Sequence, residues 1–214
     1  MKSKGNMMRY LIALMCFFTF QNVYADMTLT IMDQDNKPVS DAVILLSKES
    51  VSTPDAVAIM DQIDESFVPR VLVIQKGQYV NFPNSDDIRH HVYSFSKPKA
   101  FEIKLYKGSE IPPIAFDKPG LVVLGCNIHD DMIGYIIVAD NSYVIKTDKD
   151  GKASLPVKQG DTVTLWSERF IEGVNTTKQI NITNDTEQSL SLEFLPPIEI
   201  MGHSMGYGFG KKQW

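Results

Sequence analysis

Cysteine is almost missing from this chain. Its 214 residues include two, Cys16 and Cys126, which excludes a disulfide-stapled scaffold. Histidine is scarce too, with four residues: His90, His91, His129 and His203. Positive charge is in deficit. With 21 Lys and Arg against 26 Asp and Glu the formal net charge is −5, which argues against nucleic acid as a partner. The apolar run Leu11 to Phe20 falls short of the roughly 20 residues that a spanning helix needs, and no later stretch exceeds it, so no stable membrane insertion is expected. Long amphipathic helical periodicity is also lacking, which excludes a helix bundle.

The short apolar run has another use. Lys2, Lys4 and Arg9 precede it, and Val23-Tyr24-Ala25 follows it. This is the order of a secretory signal: basic region, apolar region, small-residue cleavage site. Residues 1–25 are therefore read as a signal peptide cut before Asp26, and the mature protein is expected in the periplasm. The remainder, 214 less 25, is 189 residues with a formal charge of −8, enough for one large or two small domains. Cys16 leaves with the signal. Cys126 is then a single thiol in a compartment where cysteines pair. It is either a small buried hydrophobe or a metal ligand.

What is present reads as β structure. Met27 to Met32 alternates, Asp33-Gln-Asp-Asn-Lys-Pro38 supplies turn chemistry, and Val43 to Leu46 resumes. Residues 48–58 are small and polar, as in a linker. Phe67 to Ile74, Gln78 to Phe82, His91 to Phe95, Ile114 to Phe116, Leu121 to Leu124 and Tyr135 to Val138 are strand candidates. Thr147-Asp-Lys-Asp-Gly151 is a tight turn, and Thr162 to Trp166, Lys178 to Ile182 and Leu190 to Phe194 are strand-like. Many short strands parted by Gly and Pro imply an all-β sandwich or barrel.

The chemistry concentrates in Cys126-Asn-Ile-His129-Asp-Asp-Met132. A thiolate, an imidazole and a thioether fall within one loop between two apolar strands. His90 or His91 supplies a second imidazole from a different strand, about 36 residues upstream. Two His, one Cys and a Met form the ligand set of a one-electron copper centre. Zinc would accept the Cys and two His but asks for a fourth N, O or thiolate ligand, or water. A Cys–His nucleophile pair would leave Met132 without a role.

These same residues resemble a known family. Cys126-x2-His129-x2-Met132 is similar to the compact ligand loop of amicyanin-type cupredoxins. Val80-Asn-Phe82 followed by Asn84-Ser-Asp-Asp-Ile-Arg-His90 resembles the segment carrying the first His ligand in plastocyanin and amicyanin, and Phe67-x-Pro69 with Gly77-x-x-Val80 resembles the opening strands. Phe82-Pro-Asn84, His90-His-Val-Tyr-Ser-Phe95 and Gly125-Cys-Asn-Ile-His129 also resemble exported plastocyanin-like proteins labelled methylamine utilization proteins. The resemblance implies a Greek-key sandwich over residues 58–139 and one copper held by His90, Cys126, His129 and Met132, with Asn84 and His91 behind the ligands. His91 stands where the family usually has an Asn that ties the ligand loops together. His90 is preferred to it because of its match to Asn84, six residues earlier.

The flanks resemble a carboxypeptidase regulatory-like, immunoglobulin-type sandwich, with first strands in 26–50 and the rest in 140–195. The cupredoxin block is then an insert within it. Residues 196–214 read as a tail, and Met201-Gly-His203-Ser-Met205 there has donors suited to Cu(I).

The resemblance implies an electron carrier rather than an enzyme. Four histidines are too few for a further multi-histidine copper cluster, which excludes a self-contained multicopper oxidase. Asp130 and Asp131 beside His129 favour a redox partner with a basic docking surface. The alternatives are copper trafficking or sensing, and an envelope binding module with a structural metal.

Overall fold

The computed structural model describes residues 26–109 and 111–197, and within them it contains strands and no helix. The signal peptide read in residues 1–25 and the Met201–Met205 donors lie outside the described residues.

Strands β1 (Met27–Met32) and β2 (Val43–Ser50) come first. In β1, Met27, Leu29 and Ile31 are buried while the residues between them face outward, which is the two-residue period of a pleated strand. Neither strand pairs with its neighbour in sequence. β1 runs antiparallel to β14 (Lys152–Leu155) and parallel to β17 (Glu187–Ser191). β2 lies between β13 (Ser142–Lys146) and β15 (Thr162–Trp166), with β16 (Thr177–Asn181) at the edge. The two sheets enclose one core that includes Leu29, Ile44, Leu155, Leu165, Phe170 and Phe194. The ends of the chain thus build one sandwich.

The stretch between them has its own core. Its larger sheet contains β6 (Val71–Gln75), β12 (Ile133–Ala139), β11 (Gly120–Gly125), β8 (His90–Ser96) and β9 (Lys99–Tyr106), in that order. β6 and β12 are parallel and the other pairs antiparallel. Around it stand a small sheet, β3 (Ala58–Ile59), β7 (Tyr79–Asn81) and β10 (Ile114–Ala115), and a hairpin of β4 (Asp61–Ile63) and β5 (Ser66–Val68). Met60, Phe67, Phe82, Phe116, Leu124 and Ile136 fill this core, and Cys126 and Met132 belong to it.

A third cluster joins the two. Tyr135 and Ile137 of β12 meet Val43 of β2 and Trp166 of β15, with Val71 beside them. β12 alternates between cores: Ile136 and Val138 face one, Tyr135 and Ile137 the other. This explains why Tyr135 to Val138 reads as an unbroken apolar run rather than an alternating one.

Several strand boundaries differ from those expected from sequence. β2 continues to Ser50, inside the stretch read as linker. Phe67 to Ile74 is not one strand but the end of β5 and the start of β6. Pro69 lacks the N–H that a continuous ladder needs. β17 lies at Glu187–Ser191, ahead of the expected Leu190 to Phe194. Its residues pair with β1 at a sheet edge, where ladder hydrogen bonds and the half-buried Leu190 place it.

Candidate metal centre

Three strands deliver the donors. His90 opens β8, Cys126 follows β11, and His129 and Met132 precede β12. The Met132 N–H donates to the His129 carbonyl at 3.1 Å, a turn that folds the loop back into the core. Gly125 lets the strand before Cys126 pass under Tyr93, whose ring would lie 2.8 Å from an added Cβ.

The donor atoms of His90, Cys126 and His129 all lie within 4.8 Å of one another. His90 Nδ1 is 3.8 Å from Cys126 Sγ, and the His90 and His129 ring centroids are 5.2 Å apart. Cys126 has no disulfide partner. His129 Nδ1 is buried without a hydrogen-bond partner, which costs free energy unless a ligand satisfies it. An orphaned imidazole nitrogen, a lone buried thiol and a second imidazole converge on one point. The donor set fits a soft or borderline metal ion. Met132 is 2% exposed and packs in the same core cluster as Cys126.

His91 is turned elsewhere. Its Nδ1 is 2.5 Å from Asn127 Nδ2, and its Nε2 is 3.0 Å from a Glu102 carboxylate oxygen without hydrogen-bond alignment. It therefore ties β8 to the loop after Cys126. Asn84 braces the approach to His90: its Nδ2 donates to the carbonyls of Ile88 and Tyr106 at 3.0 and 2.8 Å, and its Oδ1 accepts from the Asp86 N–H at 3.0 Å. Asp130 and Asp131 are both exposed on the loop.

Two acidic residues not foreseen from sequence join the site. Asp86 Oδ2 lies 2.6 Å from His90 Nε2. Burial pushes the Asp86 carboxyl up, but the Glu65 N–H, the His90 imidazole and the Asp64 N–H outweigh it and hold it below the usual carboxylate range. Glu65 places a carboxylate oxygen 3.6 Å from His129 Nε2. Glu65 and His129 lie on different loops, so spacing could not pair them. Asp86 is four residues before His90 on the same segment, a spacing that by itself does not fold a loop carboxylate back onto a ring. Deeper in, Tyr106 donates to the Phe82 carbonyl at 2.6 Å and accepts from Gln62 Nε2. Burial is the main cause that pushes its phenol up to about 12, so it stays neutral.

The central block is cupredoxin-like. That fold is carried by the strand order and by a ligand loop closing against the start of β8. No protein-family profile matches the chain, and no curated protein matches it. Solved structures match part of it. A copper-containing nitrite reductase from Thermus scotoductus is 28% identical over 43% of this chain and 25% of its own, with a TM-score of 0.38. The chain thus spans about a quarter of that reductase. An oxidized amicyanin variant is 17% identical over 46% of this chain and 100% of its own, with a TM-score of 0.36. A purple cupredoxin from Nitrosopumilus maritimus is 21% identical over 40% of this chain and 100% of its own, with a TM-score of 0.34. Among the described residues no helix is long and apolar enough to cross a membrane.

Proposed function

We propose that this chain is a periplasmic one-electron carrier, with one copper ion held by His90, Cys126, His129 and Met132. The observation that carries the reading is the convergence of two imidazoles and a lone thiol within 4.8 Å, one imidazole nitrogen being buried and unpartnered. Copper, when bound, supplies a Cu(II)/Cu(I) couple that soft sulfur and imidazole ligands accommodate in both states. The protein's part is to keep those ligands fixed and dry. His90 is 0% exposed, Met132 2% and Cys126 5%, whereas the His129 side chain is 22% exposed. Electrons therefore enter and leave by the His129 edge. Glu65, Asp130 and Asp131 surround that edge with negative charge, which favours a basic redox partner and an association rate that falls with ionic strength.

The test is purified protein loaded with Cu(II), followed by visible spectroscopy and voltammetry. An intense thiolate-to-copper band and a reversible one-electron wave are expected, and Cys126→Ser abolishes the band. A colourless, tight Cu(I) complex with no reversible wave would replace this reading with copper trafficking. A wild type and a Cys126→Ser variant that bind copper alike would remove the site altogether.

A further inference from the structure

The carboxylate behind His90 is held more firmly than a solvated loop acid. Asp86 Oδ1 accepts from the Asp64 N–H at 2.6 Å, and Oδ2 accepts from the Glu65 N–H at 3.0 Å. Asp64 and Glu65 form the β4–β5 turn, with φ of 50° and 57°. Two successive positive φ values mark the type I′ hairpin turn, which normally takes Asn-Gly. An Asp-Glu pair there is strained, and the strained turn aims both its N–H groups at one carboxylate. The hairpin is also stitched to the loop beside it. Ser85 donates its N–H to the Gln62 carbonyl at 3.0 Å and its hydroxyl to Asp61 at 2.9 Å. Asp86 is thus fixed before it meets His90.

A fixed carboxylate fixes the ring. Asp86 Oδ2, 2.6 Å from His90 Nε2, can only accept, so the proton sits on Nε2. His90 Nδ1 then keeps its lone pair, and it is Nδ1 that faces the Cys126 thiol at 3.8 Å. A carboxylate on the far nitrogen also raises the basicity of a ligating imidazole and favours the more highly charged state of a bound ion.

We infer that Asp86, clamped by the β4–β5 turn, is a positioning residue that locks the His90 tautomer and biases the metal centre toward its oxidised state. The second half rests on the copper reading above; the first does not. Asp86→Asn retains an oxygen able to accept from Nε2–H but removes the charge. Its Cu(II)-to-Cu(I) affinity ratio is expected to fall about tenfold, a rise in potential of about 59 mV for one electron. Asp86→Ala removes the acceptor, and metal affinity is expected to fall about 10- to 100-fold. Asp64→Gly is the control. It deletes a nearby charge yet keeps the N–H and suits a positive φ, so potential and tautomer should match the wild type.

The metal-free readout is the pair of His90 ring nitrogen shifts in 15N-labelled protein, which distinguish Nε2–H from Nδ1–H. Wild type should show Nε2–H, and Asp86→Ala a mixture. An unchanged tautomer in Asp86→Ala would overturn the lock. An unchanged potential in Asp86→Asn, or an equal shift in Asp64→Gly, would overturn the bias. A wild type without a thiolate-to-copper band would overturn the copper reading, while the nitrogen shifts still decide whether Asp86 holds His90.

Discussion

Gly134 is where the ligand loop and the β4–β5 hairpin meet, and adding one methyl group there should disturb both. Gly134 stands two residues after Met132, paired with Leu124 across the β11–β12 ladder. A Cβ built on it would lie 2.9 Å from Phe67 Cβ and 3.0 Å from two ring carbons of the same residue. No rotamer of Phe67 moves its own Cβ, and Phe67 is 2% exposed. Relief therefore requires that β5 or β12 shift. Overpacking of this kind costs about 1–3 kcal/mol. Replacing Gly by Ala returns about 0.4–1 kcal/mol through the unfolded chain. A net loss of about 1–2 kcal/mol remains, which lowers the midpoint of a chain this size by about 2–8 °C. Gly125 offers the contrast, since its added Cβ would meet the ring tip and hydroxyl of Tyr93 at 2.8 Å. Tyr93 is half-buried and can swing outward, so Gly125→Ala should change stability by less than about 0.5 kcal/mol. Thermal unfolding of the metal-free proteins decides the matter. If Gly134→Ala melts with the wild type, or Gly125→Ala loses more, the account of close approach at β12 is wrong.

Three further outcomes are expected. Met132→Ala should cost the metal-free protein about 2–5 kcal/mol as a core truncation, whereas Met132→Leu should cost less than about 1.5 kcal/mol. A changed visible band or potential in Met132→Leu then reports the thioether alone, and an unchanged one removes Met132 from the ligand set. Gly151→Ala should be poorly tolerated, because φ is 71° and the new Cβ would collide with the Ile31 carbonyl oxygen; expression with a wild-type denaturation curve would contradict this. Asp33 is held below the usual carboxylate range chiefly by the Lys37 N–H, against burial, with the Asp35 N–H and Arg169 adding to the effect. A lowered folded value means the stabilisation is complete above the ordinary value of 3.8 and is lost as pH falls through the folded value. The denaturant midpoint of Asp33→Asn should therefore lie below that of wild type near neutral pH, with the gap narrowing in acid, and a gap constant with pH would refute the carboxylate's role.

The candidate donors could be named from the sequence because they are rare and local. Cys126, His129 and Met132 share one loop, and the apolar runs on either side announce the strands that mount it. His90 and His91 are adjacent, and sequence alone left the choice to resemblance; the structure turns His90 toward Cys126 and His91 toward Asn127. What sequence could not show is built from long-range pairing. Asp86 is only four residues before His90, but what holds it there is a hairpin some twenty residues earlier in the chain. That hairpin was missed because β4 and β5 are three residues each, too short for periodicity to register. β9 was missed for another reason. Phe101, Ile103 and Leu105 do alternate with Glu102 and Lys104, the two-residue period of a strand, but β9 is an edge strand on which Leu105 stays exposed, and the charges made it read as a solvated connection.

β12 is the element on which the ligand loop depends, and it is braced from both sides. One face packs into the core that holds Cys126 and Met132, the other against β2 and β15 of the terminal sandwich. Arg70 adds a polar tie at its first residue. Its Nη1 donates to the Ile133 carbonyl at 3.0 Å, its Nε contacts both Glu168 carboxylate oxygens at 3.0 and 2.8 Å, and its guanidinium lies 5.8 Å from the Tyr135 ring centroid. Glu168 follows β15, so the residue next to Met132 is held through Arg70 by the sandwich formed from the ends of the chain. A half-buried pair of this kind contributes little net stability, but with the Ile133 carbonyl it fixes where the guanidinium sits. Tyr135 and Trp166 pack edge to face at 5.5 Å and close the same joint. If the site holds copper as proposed, a loop whose exit strand is braced on both faces would keep its sulfur and imidazole in one place in both oxidation states, as electron transfer with little rearrangement requires.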